Sequence, residues 1–201
     1  MDKETKRRKA RAFLREFSTR DDWFVLDTET TGPDEGTDEV VEVAVLDADG
    51  LAVTETLVNP SCEISEGAKQ VHGIGPEDVG NAPTMKDLCF TLRPFLRRET
   101  VLIYNRSFDG PILENSFQRR GVTVDREAWD LRCVMKAYAM AEGAWSEEYG
   151  SYRWVKLRDA CEERDVSLSG LELHSAAGDA ELTRRLVRSF ADESEPEPAK
   201  P

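Results

Sequence analysis

One short segment constrains this chain more than any other: Leu26-Asp27-Thr28-Glu29-Thr30-Thr31-Gly32. The apolar residues that lead into it read as a buried strand, Trp23–Thr28. In an extended strand, side chains two apart leave from the same face, so Asp27 and Glu29 project side by side. Two such carboxylates at the end of a buried strand repel each other unless a cation lies between them. Oxygen donors of this kind suit Mg²⁺ or Mn²⁺ rather than zinc. The same Asp-x-Glu spacing recurs at Asp2/Glu4, Asp125/Glu127 and Asp179/Glu181, where a solvated acidic pair is the default explanation. Asp27/Glu29 differs from these in the apolar run before it and the small, turn-forming Thr-Thr-Gly after it.

The surrounding pattern places this strand in a sheet. Val40–Leu46 alternates as a second strand, Asp47–Gly50 turns, and Leu51–Val58 reads as a third; short connections make the three an antiparallel meander. Thr84 suits the cap of a helix through Arg97, with Pro94 kinking or shortening it. Thr100–Tyr104 is a strongly apolar fourth strand, and Pro111–Arg119 reads as a helix closed by Gly121. An extended piece over Val122–Trp129 precedes helices at Leu131–Ala141, Val155–Glu163 and Ala176–Phe190. Three strands followed by alternating helix and strand give an α/β fold, a mixed sheet with helices packed on it. With 201 residues, one core suffices.

Both ends differ in composition from this body. Residues 1–20 carry eight Lys and Arg against three acidic residues, with Ala10, Phe13, Leu14 and Phe17 at helical spacing. A basic helical arm is expected, its narrow apolar stripe suiting a docked helix; the alternative is an arm that adds affinity for nucleic acid. Residues 191–201 read as an acidic, proline-rich tail, leaving 21–190 as the globular domain.

Charge narrows the function classes. With 27 Lys plus Arg against 40 Asp plus Glu, the formal net charge is −13. That argues against a sequence-reading DNA binder with a basic face, but not against an enzyme that recruits a phosphate through bound cations. No apolar run approaches the ~20 residues of a membrane span, and no secretory signal is evident. Four cysteines without a CxxC pair read as free thiols, which places the chain in a reducing cytoplasm.

Three further pieces carry chemistry. Asp109 follows the fourth strand across Asn105-Arg106-Ser107-Phe108, where it reads equally well as a helix cap. His174 precedes Asp179 by five residues, and the intervening Gly178 suggests a loop entering the helix that bears Asp179. His72 lies in the glycine-bearing stretch Val71-His72-Gly73-Ile74. The chain has only these two histidines, each in a loop context.

Taken together, Asp27-x-Glu29-Thr-Thr-Gly, Val71-His-Gly-Ile74, Asn105-x-x-Phe108-Asp109 and His174-x4-Asp179 resemble the DEDDh (DnaQ-like) 3′-to-5′ exonucleases. That family includes oligoribonuclease and the proofreading epsilon subunit of bacterial DNA polymerase III. The resemblance covers about Trp23 to Phe190 and implies an RNase H-like mixed five-stranded sheet flanked by helices. It implies that Asp27, Glu29, Asp109 and Asp179 hold two divalent cations, Mg²⁺ or Mn²⁺, with His174 as general base. It also implies that Glu29 and the Thr30 backbone meet the terminal 3′-hydroxyl, while His72, Ile74 and Phe108 line the terminal sugar and base; Phe108 serves equally well as core. Such a site neutralises its own four negative charges with two cations, so an acidic protein can accept a scissile phosphate.

The implied partner is a nucleic acid with a free 3′ end, DNA in preference to RNA. A polymerase partner is conceivable, although no epsilon-type docking tail follows Phe190. Where the family often has a histidine beside Asn105, this chain has Tyr104. The competing readings are an RNA-directed exonuclease, an RNase H-type endonuclease, and a catalytically weak module that keeps the fold to bind a polymerase or other partner.

Overall fold

A computed structural model describes residues 2–192. Its main sheet has the order β3-β2-β1-β4-β5, built from β1 (Phe24–Thr30), β2 (Val40–Asp47), β3 (Ala52–Leu57), β4 (Thr100–Ile103) and β5 (Asp130–Cys133). β1, β2 and β3 form the antiparallel meander that their short connections dictate. β4 lies parallel to β1, and β5 parallel to β4. The helices are, in chain order, α1 (Lys3–Thr19), α2 (Glu66–His72), α3 (Pro76–Val79), α4 (Cys89–Arg98), α5 (Arg106–Arg119), α6 (Val134–Ala141), α7 (Leu157–Glu163) and α8 (Ala176–Arg188). A two-stranded hairpin, β6 (Trp145–Ser146) with β7 (Ser151–Tyr152), follows α6.

Both faces of the sheet are covered, which is why β2 is apolar at nearly every position. On one face Val25, Ala44, Leu46 and Leu102 pack with Leu14, Tyr138 and Leu186, drawn from α1, α6 and α8. On the other, Leu26, Val43, Val101 and Ile103 pack with Leu92 of α4 and Ile112 and Phe117 of α5. No described helix is long and apolar enough to cross a membrane.

Several boundaries differ from the sequence expectation, each for a local reason. The helix expected from Thr84 begins only at Cys89, because Thr84 donates through its amide and hydroxyl to the Asp87 carboxylate (2.9 and 2.6 Å) and closes a turn first. Pro94 lies inside α4 without ending it. α5 begins at Arg106 rather than Pro111; the Asn105 carbonyl accepts from Phe108 and Asp109 amides (2.9 and 3.2 Å), and Pro111 is accommodated within. The extended piece read over 122–129 contains a turn of 3₁₀ helix at Arg126–Ala128. The fifth strand takes 131–133 from what reads as a helix start, since pairing with β4 outweighs helical propensity there.

The basic N-terminal helix lies against the body of the protein. Ala10, Leu14 and Phe17 are buried against α6 and α8. Arg7 and Arg11 donate to the Ala141 carbonyl at the C-terminal end of α6 (3.1 and 3.0 Å). From α8, Arg188 donates to the Ser18, Arg20 and Ala48 carbonyls (2.8, 2.9 and 2.9 Å) and pairs with Asp21. The tail read over 191–201 lies outside the described residues from 193 onward. Leu14→Ala should lower the unfolding free energy by about 2–5 kcal/mol in urea titrations, whereas Arg8→Ala on the exposed face should change it by less than about 0.5 kcal/mol.

Candidate active site

Only Phe24 and Val25 of β1 pair with β4, so the second half of β1 leaves that edge free at the C-terminal end of the parallel strands. Sheets of this kind open a crevice where neighbouring strands part. On its other edge β1 stays paired with β2, but the register slips between Glu29 and Thr30, leaving Val41 as an extra residue. Such a bulge bends the strand and re-aims its side chains.

Three carboxylates gather there. Asp27 and Glu29 leave β1 on the face covered by α8, whose first turn carries Asp179, and one acceptor oxygen from each lies within 4.8 Å of the others. Asp109 approaches from α5. It is buried, and its Oδ1 accepts a hydrogen bond from Thr28 Oγ1 at 2.8 Å, so it stands beside the trio rather than within it. The cap reading of Asp109 gives way: the helix starts three residues earlier, with Asn105 in the cap position.

The electrostatics are those of crowded acids. Burial pushes the Asp27 carboxyl well above the usual carboxylate range, and the charges of Asp109, Asp179, Glu29 and Glu42 push it further. Burial, followed by Asp179, Glu42 and Asp109, raises Glu29 to about 8. Burial raises Asp109 to about 7 despite the stabilising Thr28 hydroxyl. Asp179 is raised by burial and drawn back by His174. Without a cation these groups keep protons that isolated carboxylates would lose. The donor set is all oxygen and anionic, which fits a hard divalent cation such as Mg²⁺ or Mn²⁺.

His174 is exposed and sits in the loop entering α8, with φ of 61°, a conformation that costs a non-glycine residue energy. Gly178 makes this loop possible, since a Cβ there would stand 1.9 Å from the Glu172 carbonyl oxygen. Ser175 caps the helix, accepting from the Gly178 amide at 3.1 Å while donating to the Glu172 carbonyl at 2.8 Å. His174 is thereby held beside Asp179.

Of the residues expected around the terminal nucleotide, His72, Ile74 and Thr30 are linked. The Ile74 amide donates to His72 Nδ1 (3.0 Å), so the ring proton sits on Nε2 and is given to the Thr30 carbonyl (3.1 Å). Burial lowers the His72 pKa and favours this neutral form. Thr30 itself is buried, its hydroxyl spent on the Gly32 carbonyl at 2.8 Å. At Gly32 a Cβ would lie 2.6 Å from the Asp38 carboxylate that Thr31 also bonds, so a larger residue there would displace that carboxylate. Phe108 is half-buried and rests on the α4–α5 side of the core, beside Asp109 in the chain. Tyr104 is buried and spends its hydroxyl on the Val155 carbonyl (2.7 Å).

The role of Glu42 was not read from sequence, nor was the steric reason for Gly178, which was read only as the mark of a loop. Glu42 lies opposite Glu29 on β2, and its Oε2 accepts from the Ala176 amide at 2.8 Å, tying the sheet to the start of α8. Its signal was a lone acid in an otherwise apolar strand. The exclusion at Gly178 had no such signal, because the atom it clashes with is brought in by the loop.

Comparison with known proteins shows the family and the fold. The exonuclease family model RNase_T matches residues 24–187. An exonuclease of Escherichia phage 186 is 31% identical over 175 residues, covering 85% of this chain and 89% of the phage protein. The PolC-type DNA polymerase III of Thermotoga maritima is 32% identical over 175 residues, 84% of this chain, but the chain spans only 12% of that polymerase. Among solved structures, E. coli exonuclease I in complex with a dA16 oligonucleotide superimposes with a TM-score of 0.65 at 18% identity, over 83% of this chain and 40% of that one. The mixed five-stranded sheet is therefore the RNase H-like one. The chain belongs to the DnaQ-like exonucleases, the family that the RNase_T model describes.

Proposed function

We propose that this protein is a metal-dependent 3′-to-5′ exonuclease that releases nucleoside monophosphates from a free 3′ end, with single-stranded DNA as its substrate. The observation that carries the reading is the meeting of Asp27, Glu29 and Asp179 within 4.8 Å, with Asp109 alongside and His174 at the rim. Asp27, Glu29, Asp109 and Asp179 would hold two divalent cations, Mg²⁺ or Mn²⁺. The chemistry such cations supply in a site of this kind is neutralisation of the phosphate, activation of water and stabilisation of the leaving oxygen.

The chain's own groups do the rest. Exposed at the mouth, His174 takes the proton from the attacking water as general base. The Glu29 carboxylate and the Thr30 backbone meet the terminal 3′-hydroxyl, which selects an end over an internal bond. His72, locked by the Thr30 carbonyl and the Ile74 amide, and Ile74 border the terminal sugar. Phe108 offers its exposed half to the base, a contact that any base can make. DNA is favoured over RNA because a structural neighbour was crystallised with dA16 and a relative is a DNA polymerase. A polymerase partner in the cytoplasm belongs to the same proposal, the partner being supported by a relative named as a DNA polymerase III epsilon subunit. Residues 21–190 would form the catalytic domain, with 1–20 docked upon it.

A panel of labelled DNA and RNA oligonucleotides with each metal tests this. Mononucleotides are expected from DNA; internal fragments would indicate an endonuclease, and no product a binding module. Asp179→Ala should abolish release, and His174→Asn should lower kcat about 10²–10⁴-fold with little change in KM.

The crowded carboxylates also make a linkage prediction. Their folded-state pKa values are raised, so the metal-free protein binds more protons than its unfolded chain. Its stability should therefore fall as pH rises from about 4 toward 8, the range between the unfolded carboxylates and Glu29 at about 8. Asp27→Asn should flatten that fall. Mn²⁺ at about a hundred times its Kd should raise Tm by about 5–10 °C at pH 8, and by less at pH 6 where protons compete. Calorimetry of both proteins with and without metal reads all three effects.

A further inference from the structure

On the face of the sheet that carries α1, a groove of about 350 Å³ runs between α1 and α6. Its floor includes Phe13 and Met140, and its edges are Lys6, Lys9, Arg132 and Lys136. A second hollow of about 260 Å³ shares Lys6, Lys136 and Met140 with it and extends the groove to Tyr152 and Trp154 of the β6–β7 region. Among the described residues Lys6, Lys9 and Lys136 make no ion pair, whereas Arg132 is held by Asp130 at 2.6 Å. In a chain of net charge −13, three unneutralised lysines facing one groove form a local reversal of sign.

We infer that this groove is a track for single-stranded nucleic acid, with phosphates on Lys6, Lys9 and Lys136 and a base stacked on Trp154. Its position supports that occupant. Cys133 ends β5 at the same end of the sheet as the carboxylates of β1, with β4 between the two strands. The Met135 amide donates to the Tyr104 carbonyl (2.9 Å), and the Tyr104 hydroxyl donates to the Val155 carbonyl (2.7 Å). The groove wall and the Trp154 segment are thus both tied to Tyr104, the residue just after β4 and five before Asp109. Trp154 is 65% exposed, a flat indole face with nothing laid over it. Bases stack on such faces whatever their sequence, and lysines along a groove follow a phosphate backbone. A substrate strand whose 3′ end enters the acidic site could carry its upstream nucleotides along this track. The inference rests on the proposed nuclease activity for its biological meaning, but its binding test does not require catalysis.

The test uses the full chain in EDTA, so that nothing is cleaved. Anisotropy of a fluorescein-labelled oligothymidylate of about twenty nucleotides is followed from about 50 to 200 mM salt. The variant Lys6→Gln/Lys9→Gln/Lys136→Gln should make the slope of log K against log salt shallower by about 2, as expected for three lost phosphate contacts on a single strand. Trp154→Ala should weaken binding about tenfold without altering the slope. A control, Arg93→Gln/Arg97→Gln/Arg98→Gln on α4, removes as much charge from the opposite face of the sheet and should leave the slope unchanged.

An unchanged slope in the lysine variant overturns the inference, as does an equal loss in the α4 control. So does groove occupancy by an acidic peptide alone, with the oligonucleotide unbound. With Mn²⁺ restored, hydrolysis of thymidine 5′-(p-nitrophenyl phosphate), too small to reach the groove, should be unaffected by the lysine substitutions. Binding with the expected slope but no hydrolysis of any substrate would sink the nuclease reading and leave the track standing. Hydrolysis with an unchanged slope would do the reverse.

Discussion

Like charges held together in a poorly hydrated corner are the condition on which the rest of this structure turns. Burial raises the pKa values of Asp27 and Glu29 on one strand, Asp109 on one helix and Asp179 on another, and the charges of neighbouring carboxylates push Asp27 and Glu29 further. Folding tolerates such a cluster only because the scaffold leaves each group little freedom to escape. The free edge of β1 admits the start of α5, Thr28 holds Asp109, and Glu42 fastens the first amide of α8. Each of these costs little by itself. Protonation or a ligand of opposite charge relieves the repulsion that remains.

Much of this was legible in the chain. The meander from β1 to β3 followed from alternation and short turns, and the two acids at the end of β1 followed from the period of a strand. His174 and Asp179 were separated by a glycine, and the loop-then-helix arrangement read from it is the one found. Where reading failed, the cause was partnership between distant segments. Residues 131–133 look helical in isolation and become part of a strand because β4 offers an edge. Asp109 looks like a cap until the turn before it winds into helix and carries it inward. Glu42 could be seen as odd in an apolar strand, but its bond to Ala176 links positions 134 residues apart.

The distribution of charge resolves an apparent conflict in composition. A net charge of −13 belongs to the chain as a whole, not to each patch of its surface. Acidic residues concentrate at the end of β1, and cations concentrate on α1, α4 and the start of α6. At physiological salt, fields reach only about 8 Å, so a polyanion responds to the patch beneath it rather than to the sum.

The seating of α1 has a consequence for what counts as the unit of folding. The family match begins at residue 24, as though the first twenty-odd residues were an appendage. Yet Trp23 is fully enclosed, its indole donating to the Arg20 carbonyl, and Leu14 is as deeply enclosed as any residue of the sheet. Arg188, near the far end of the helix that begins beside His174, grips the carbonyls of Ser18 and Arg20. A fragment trimmed to the shared family boundary would therefore lose one wall of its own interior. The length that matches the family and the length that completes the packed interior are, in this chain, different.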